Sequence, residues 1–366
     1  MAALSFDERV AAGAGAARRH FTAEVSNVLW GFVPGASTPP IGSVGLGEVF
    51  WVDTVSSEGL MPDQGRDPVT YFGRLGFRPE EVLADAVALA ASDVRCEPPA
   101  TGPHVVTGPI HVKGVRAGDV LEIDLVALEP RCAYGLVSNR HGKGALPERF
   151  PSPTLGEGAV VTHLVTLEGS TLTLHGGRSR WARLPFAPCL GLIGMVAETA
   201  EPLHSVEPRA SGGNLDLRFL GPGWTLLVRA AVDGGGVFVG DPHFAQGDGE
   251  VALTSVEGPL RVALRVRRAE APSAARSRLL SLAPIAESCR WLVTLGLHED
   301  LNEAVKAATA SMVDLLAGET GMPEAVALSY LSAAGRCAVS QVVNNVKGVH
   351  LMVDKSHLSL APPGTR

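Results

Sequence analysis

Two stretches of the chain concentrate side chains that can hold a metal ion or move a proton. Ser211-Gly-Gly-Asn-Leu-Asp216 contributes Asn214 and Asp216, and Gly240-Asp-Pro-His-Phe-Ala-Gln-Gly-Asp-Gly-Glu250 contributes Asp241, His243, Gln246, Asp248 and Glu250. Neutral imidazole and carboxylate are the usual ligands of a hydrolytic zinc, whereas an all-oxygen shell suits calcium or magnesium. Asp241 and His243 fit a mixed shell. Gly240, Pro242, Gly247 and Gly249 predict a turn in the second stretch, because glycine frees the backbone and proline fixes one φ, so that a short loop can bring several side chains to one point. Local chemistry alone also allows a solvated acidic hairpin tip, since Asp and Asn form Asx-turns that have no function.

The elements around these stretches must bring them together. Trp224 to Val232 is a mostly apolar run between Pro222-Gly223 and Asp233-Gly234-Gly235-Gly236, the pattern of a buried strand that carries both loops to one end of a sheet. Val49 to Val52 reads as a strand that delivers Asp53 at its end, where a carboxylate is placed either for a site or to cap a turn. Leu121, Ile123 and Leu125 alternate with Glu122 and Asp124 in a half-buried strand after Gly118, and Leu260 to Val266 alternates likewise. Val160 to Leu167 and Thr171 to Leu174 form a hairpin around Gly169-Ser170. Leu184 to Gly194 is apolar and contains glycines that permit close backbone approach. His104 and His111 flank a Thr-Gly-Pro turn, where hydrogen bonding is commoner than ligation.

Helices are fewer. Arg78 to Ser92 reads as one, with Pro79 at its first position and two glutamates in its first turn, covering a sheet. Asp300 with Glu303 predicts a capping box, Leu301 to Leu315 keeps helical spacing, and Gly318 stands where a C-cap belongs. A second helix from Pro323-Glu324 carries Val326, Leu328 and Leu331 as core, and Ala338 to Asn345 and Gly348 to Val353 read as returning strands. Residues 131 to 158 lack apolar periodicity and read as a long loop, with Asn139, Arg140, His141 and Lys143 at a substrate entrance or simply in solvent. A short helix from Phe6 is weakened by Gly13 and Gly15.

The expected fold is therefore mainly β, a sandwich- or barrel-like core with an added α+β C-terminal portion. Residues 1–40 form an N-terminal arm, 41–270 the β-rich core, and 271–366 the portion packed on it. Hydrophobic residues at 46% make the chain globular, and 42 Gly with 26 Pro favour many turns and short strands over an all-helical fold. The net charge of −7 and scattered Lys and Arg exclude a basic stripe for nucleic acid. Five widely spaced cysteines without a Cys-x-x-Cys pair fit reduced thiols in a cytosol. Asp7, Glu8 and Arg9 stand where a signal peptide needs an apolar run, and no stretch is apolar for the roughly 18 residues a bilayer demands. A soluble cytoplasmic protein is expected.

Gly-Gly-Asn-x-Asp followed by Gly-Asp-x-His-x-x-Gln-Gly-Asp-Gly-Glu resembles the acetamidase/formamidase family, and Asp53, Thr107-Gly-Pro-Ile, Ala117-Gly-Asp-Val-Leu, Gln341-Val-Val-Asn and Gly348-Val-His add support. The resemblance implies a mainly β hydrolase of short amides that depends on a divalent metal, zinc before calcium, and works as a homo-oligomer. It carries over Asn214, Asp216, Asp241, His243, Gln246 and Glu250, with Asp53 more loosely. On this reading Asp53, Asp216, Asp241 and His243 hold the metal, Glu250 is general base and then acid, and Asn214 holds the substrate carbonyl or orients a ligand. Spacing leaves open which carboxylate binds metal and which moves the proton. Two departures bear on the substrate: the Asn139 to Phe150 loop, and Glu198 in place of the family's Ala-Pro. Rival readings are an amidase with Cys189 as nucleophile, and a β-sandwich binding protein with structural calcium, against which His243 argues.

Overall fold

Alternation along the strands builds two large sheets around a shared core. In Val120–Pro130, Leu121, Ile123 and Leu125 point to one side while Val120 points to the other. This computed structural model describes residues 19–140, 142–151, 160–177 and 179–358. The expected helix from Phe6, and His141 and residues 152–159 of the entrance loop, lie outside them.

Among the described residues, the nine-stranded sheet runs in the order Arg19–Phe21, Val49–Asp53, Leu260–Arg268, Val120–Pro130, Trp224–Arg229, Ile285–Ser288, Trp291–His298, Lys347–Asp354, Arg336–Gln341. The eleven-stranded sheet is organised on Val237–Ala245, every residue of which is buried. Leu190, Ile193, Val237 and Val239 of that sheet meet Phe50, Val52, Ile123 and Val262 of the other in a shared core. The other face of the nine-stranded sheet is covered by helices, with Ala304, Ala308, Met312 and Leu315 packed on Leu227, Leu292 and Leu351. This is the expected mainly β architecture, a sandwich of sheets with helices added from the C-terminal portion. No helix among the described residues is long and apolar enough to cross a membrane.

Several local expectations are corrected. Asp241 to Ala245 lies in a strand, not a turn. Pro242 is tolerated there because the strand changes partners around it: Gly240 pairs with Val106, whereas His243 pairs with Glu257. Proline's missing N–H is harmless at such a break. Tyr134–Arg140 is a strand within the expected long loop, paired along Val160–Glu168 with Tyr134 and Leu136 packed near Phe72. Residues 78–92 divide into a short 3-10 turn, Pro79–Glu81, and a helix, Ala84–Ala91. The helix Leu301–Thr320 starts as expected, Asp300 accepting from the amides of Asn302 and Glu303, but the Glu303 carboxylate turns to Lys306 at 2.6 Å. It ends at Gly321, with φ of 72°, and not at Gly318. In Glu324–Ala334 the core residues are Ala327 and Leu331, while Val326 and Leu328 are exposed.

Candidate active site

Four strands and loops converge where the central strand changes partners. Asp241 and His243 come from Val237–Ala245, Asp216 follows Gly212–Asn214, Glu250 ends the glycine-rich loop, and Glu257 comes from Val256–Glu257. Asp216, Asp241 and Glu250 have φ of 49°, 49° and 46°. Non-glycine residues rarely adopt this left-handed region, and when they do they concentrate at functional sites. Gly191, on the strand opposite, makes room: a Cβ there would collide with Asp241 Oδ2, His243 Cε1 and Asp216 Oδ1. Its carbonyl accepts from the amides of both Leu215 and Asp216.

His243 Nε2 lies 3.1 Å from Asp241 Oδ2, 3.3 Å from Glu257 Oε1 and 3.8 Å from Glu250 Oε1. Ligand atoms of Asp216, His243 and Glu250 fall within 4.8 Å of one another, and so do those of Asp241, His243 and Glu257. On the other side of the ring, Nδ1 is 3.2 Å from Gln246 Oε1, while Gln246 Nε2 donates to the Asp216 carbonyl at 2.9 Å. Gln246 thus presents its oxygen to the ring, so Nδ1 donates and Nε2 keeps a lone pair. That lone pair faces only acceptors. Among the described residues, His243 Nε2 and Asp216 Oδ1 are buried without any hydrogen-bond partner, as is Asn214 Oδ1. Buried polar atoms in native proteins are nearly always satisfied, so these three point to a group that belongs among them. A divalent cation fits: the donors are carboxylates and one imidazole, and the outward imidazole nitrogen is fixed by a hydrogen bond as in metal centres.

The electrostatics agree. Burial, followed by the Glu250 and Asp241 charges, raises the Asp216 carboxyl well above the carboxylate range. Burial and neighbouring carboxylates push Glu250 up to about 8 and Glu257 to about 7, against the pull of His243. Asp241 goes the other way: burial would raise it, but His243 and His104 outweigh this and hold it at about 2. For His243, burial is overcome by Glu257 and Asp241, which raise it well above its ordinary value. The field that draws a proton to this imidazole draws a metal ion equally.

Asn214, Asp241, Glu250 and Glu257 line a cleft of about 560 Å³, whereas Asp216 and His243 stand behind them. Ser255 Oγ donates to Glu250 Oε1 at 2.6 Å, and the Ser255 amide donates to Glu257 Oε1 at 3.0 Å. Asn344 Nδ2 reaches Asp216 Oδ2 at 3.1 Å from a loop held by Gln341, whose Oε1 accepts from the amides of Val343 and Asn344. Arg140 lines the cleft in an ion pair with Glu58 at 2.8 Å, and Lys143 lines it as well.

Of the residues singled out in the sequence, Asp53 is not brought here. Arg261 holds both of its oxygens at 2.7 and 3.1 Å, with Arg131 at 3.3 Å and His20 at 3.0 Å, so its charge is spent on arginines and it belongs to neither ligand group. Asp248 pairs with Arg218 at 2.8 Å. Sequence reasoning missed Glu257, whose one visible signal is a carboxylate between apolar Val256 and a Gly-Pro turn. It set aside His104, whose Nε2 lies 4.0 Å from Asp241 Oδ1 and whose Nδ1 meets Ser205 Oγ at 2.9 Å. Burial holds His104 below its ordinary range.

Cys189 Sγ lies 4.0 Å from His243 Nδ1, but that nitrogen carries the proton it donates to Gln246 Oε1 at 3.2 Å and so is no base for the thiol. The thiol is fully buried, burial pushes it up, and it does not line the cleft. Cys189→Ala is expected to retain most activity. Loss of turnover with folding and metal content unchanged would instead make the thiol the nucleophile.

Fold and site together define a β-sandwich protein whose central strand presents a carboxylate and imidazole centre to a cleft. A family description, the Acetamidase/Formamidase family, matches residues 189–352. The chain is 29% identical over 208 residues to a formamidase of Methylophilus methylotrophus, covering 45% of this chain and 51% of that one. It is 24% identical over 199 residues to an acetamidase of Mycolicibacterium smegmatis, covering 40% and 49%. It thus spans about half the length of the curated relatives it matches. The solved structure of an acetamidase from Bacillus halodurans superposes with a TM-score of 0.70 at 25% identity, covering 92% of this chain and 98% of that one. An acetamidase from Yersinia enterocolitica superposes with a TM-score of 0.73 at 21% identity, covering 93% of each chain. These likenesses, to the family description over residues 189–352 and to the fold of solved acetamidases over most of the chain, point to the acetamidase/formamidase family.

Proposed function

We propose that this chain is a metal-dependent amidohydrolase that splits the C–N bond of a linear carboxamide, of which formamide and acetamide are the smallest, into a carboxylic acid and ammonia. The observation that carries the reading is the unpartnered His243 Nε2, aimed among Asp216, Asp241, Glu250 and Glu257 at the floor of the cleft. The family and the named relatives support amide cleavage; the donor set supports the metal, zinc before calcium.

Asp216, Asp241 and His243 would hold the ion, with Glu257 beside them. A bound divalent ion supplies a water whose pKa approaches about 7 in favourable zinc sites and polarises the amide carbonyl. The chain's own groups do the rest. Glu250 Oε1 is steadied by Ser255, and the carboxylate faces the cleft, so it is placed to take a proton from water and return it to the departing nitrogen. Asn214 Nδ2 donates to the Val206 carbonyl at 3.3 Å, which leaves Oδ1 as a buried, unpartnered acceptor on a residue that lines the cleft. An acceptor there suits the substrate NH₂ as a partner. Gln246 keeps the imidazole in the tautomer the site needs, and Asn344 holds Asp216 in place.

Chelation is expected to abolish ammonia release from simple amides, and adding back one divalent metal to restore it, with metal content measured at each step. Full activity in metal-free protein would end this mechanism. Tightly bound metal without turnover of any amide would favour the binding-protein reading.

A further inference from the structure

We infer that the site serves carboxamides whose uncharged acyl group is much larger than acetyl, of the size of a six-carbon chain or a phenyl ring. The inference rests on the amidohydrolase reading for its chemistry and on the cleft for its size. A cavity of about 560 Å³ lies within the ~300–1,000 Å³ of sites that enclose drug-sized ligands. A water takes up about 30 Å³ of liquid, and acetamide, with one methyl beyond its amide, needs the room of only a few waters. Once the amide is seated against Asn214 and Glu250, most of the cleft is still to be filled.

The remaining walls are made for apolar groups. Met61, Pro98, Val206, Leu253 and Val343 come from separate segments of the chain and all face the same space. Arg140 and Lys143 also face it, but Glu58 at 2.8 Å and Asp63 at 2.6 Å already neutralise the Arg140 guanidinium, and Glu58, Glu207, Asp241, Glu250 and Glu257 set five carboxylates in the lining against these two cations. Such walls gain by covering an acyl chain and gain little from a carboxylate at its end. Each methylene enclosed by an apolar pocket is worth about 10-fold or more in kcat/KM, and binding energy from remote parts of a substrate can be spent on the reacting centre.

The test compares formamide, acetamide, hexanamide, phenylacetamide and the half-amide of adipic acid on the metal-loaded protein. In parallel, acetate and hexanoate are titrated calorimetrically, since both carry the same head group and differ only in the chain. Expected are a kcat/KM at least about 10-fold higher for hexanamide or phenylacetamide than for acetamide, and tighter binding of hexanoate than of acetate by a similar factor. Val206→Phe, which fills part of the cleft, should shrink both ratios. Equal or better turnover of acetamide together with equal binding of acetate overturns the inference, and a preference for the adipic half-amide over hexanamide overturns its uncharged character. Tighter hexanoate binding with no turnover of any amide would leave the size inference standing and bring down the amidohydrolase reading.

Discussion

His243→Ala is expected to lose metal and turnover together, with activity below about one thousandth of wild type, the scale on which positioned catalytic groups act. The imidazole is fully buried and is the nitrogen donor common to both ligand groups. Alanine removes the nitrogen that stands 3.1 and 3.3 Å from Asp241 and Glu257, and with it the hold on a cation that would balance their charge. Removing one member of a buried charged set costs about 3–5 kcal/mol, because the charges left behind have no water to turn to. The variant should therefore melt earlier than wild type and bind added metal weakly. Metal analysis, thermal unfolding and ammonia release check the three consequences, and retention of both metal and turnover would show that this cluster is not the active site.

Glu250→Gln is expected to separate the two roles. Glutamine keeps the shape and an acceptor oxygen for Ser255, but it cannot take a proton, so turnover should fall by about 10² to 10⁴-fold while the metal stays. Asp241→Asn should lose both, since an anionic ligand 3.1 Å from His243 Nε2 disappears. Metal content of the two purified variants decides the matter. If Glu250→Gln comes out metal-free and Asp241→Asn keeps its ion, the roles must be exchanged. Glu257→Gln is the informative companion, because Glu257 also faces the cleft and its carboxyl is likewise pushed up, to about 7.

Much of the site was legible because its residues are close in the chain. Asn214 with Asp216, and Asp241, His243, Gln246 and Glu250, announce themselves as clusters of ligand-type side chains, and the structure gathers them around one point. Asp53 shows the limit of that reading. A strand-end carboxylate looks the same in sequence whether it meets a metal or two arginines, and Arg131 and Arg261 are far from it along the chain. Glu257 and Asn344 were invisible for the opposite reason: each stands apart from the motif and reaches the site only through the pairing of Val256–Glu257 with the central strand, or through the loop that Gln341 organises.

Periodicity and composition determined by themselves that the chain is mainly β, that helices gather near its C-terminus, and which short-range motif could hold a metal; these are local properties of alternating side chains and neighbouring ligands. The tertiary structure alone decided that Asp241 and His243 lie in a buried strand and not in a turn. Glycine and proline signal a break in regular pairing, and here the break is a change of strand partner in the middle of a sheet, which no local pattern records. The same holds for the sharing of His243 among four carboxylates. Bringing so many like charges together is unfavourable in any local segment, and it becomes tolerable only where the fold encloses them around an imidazole.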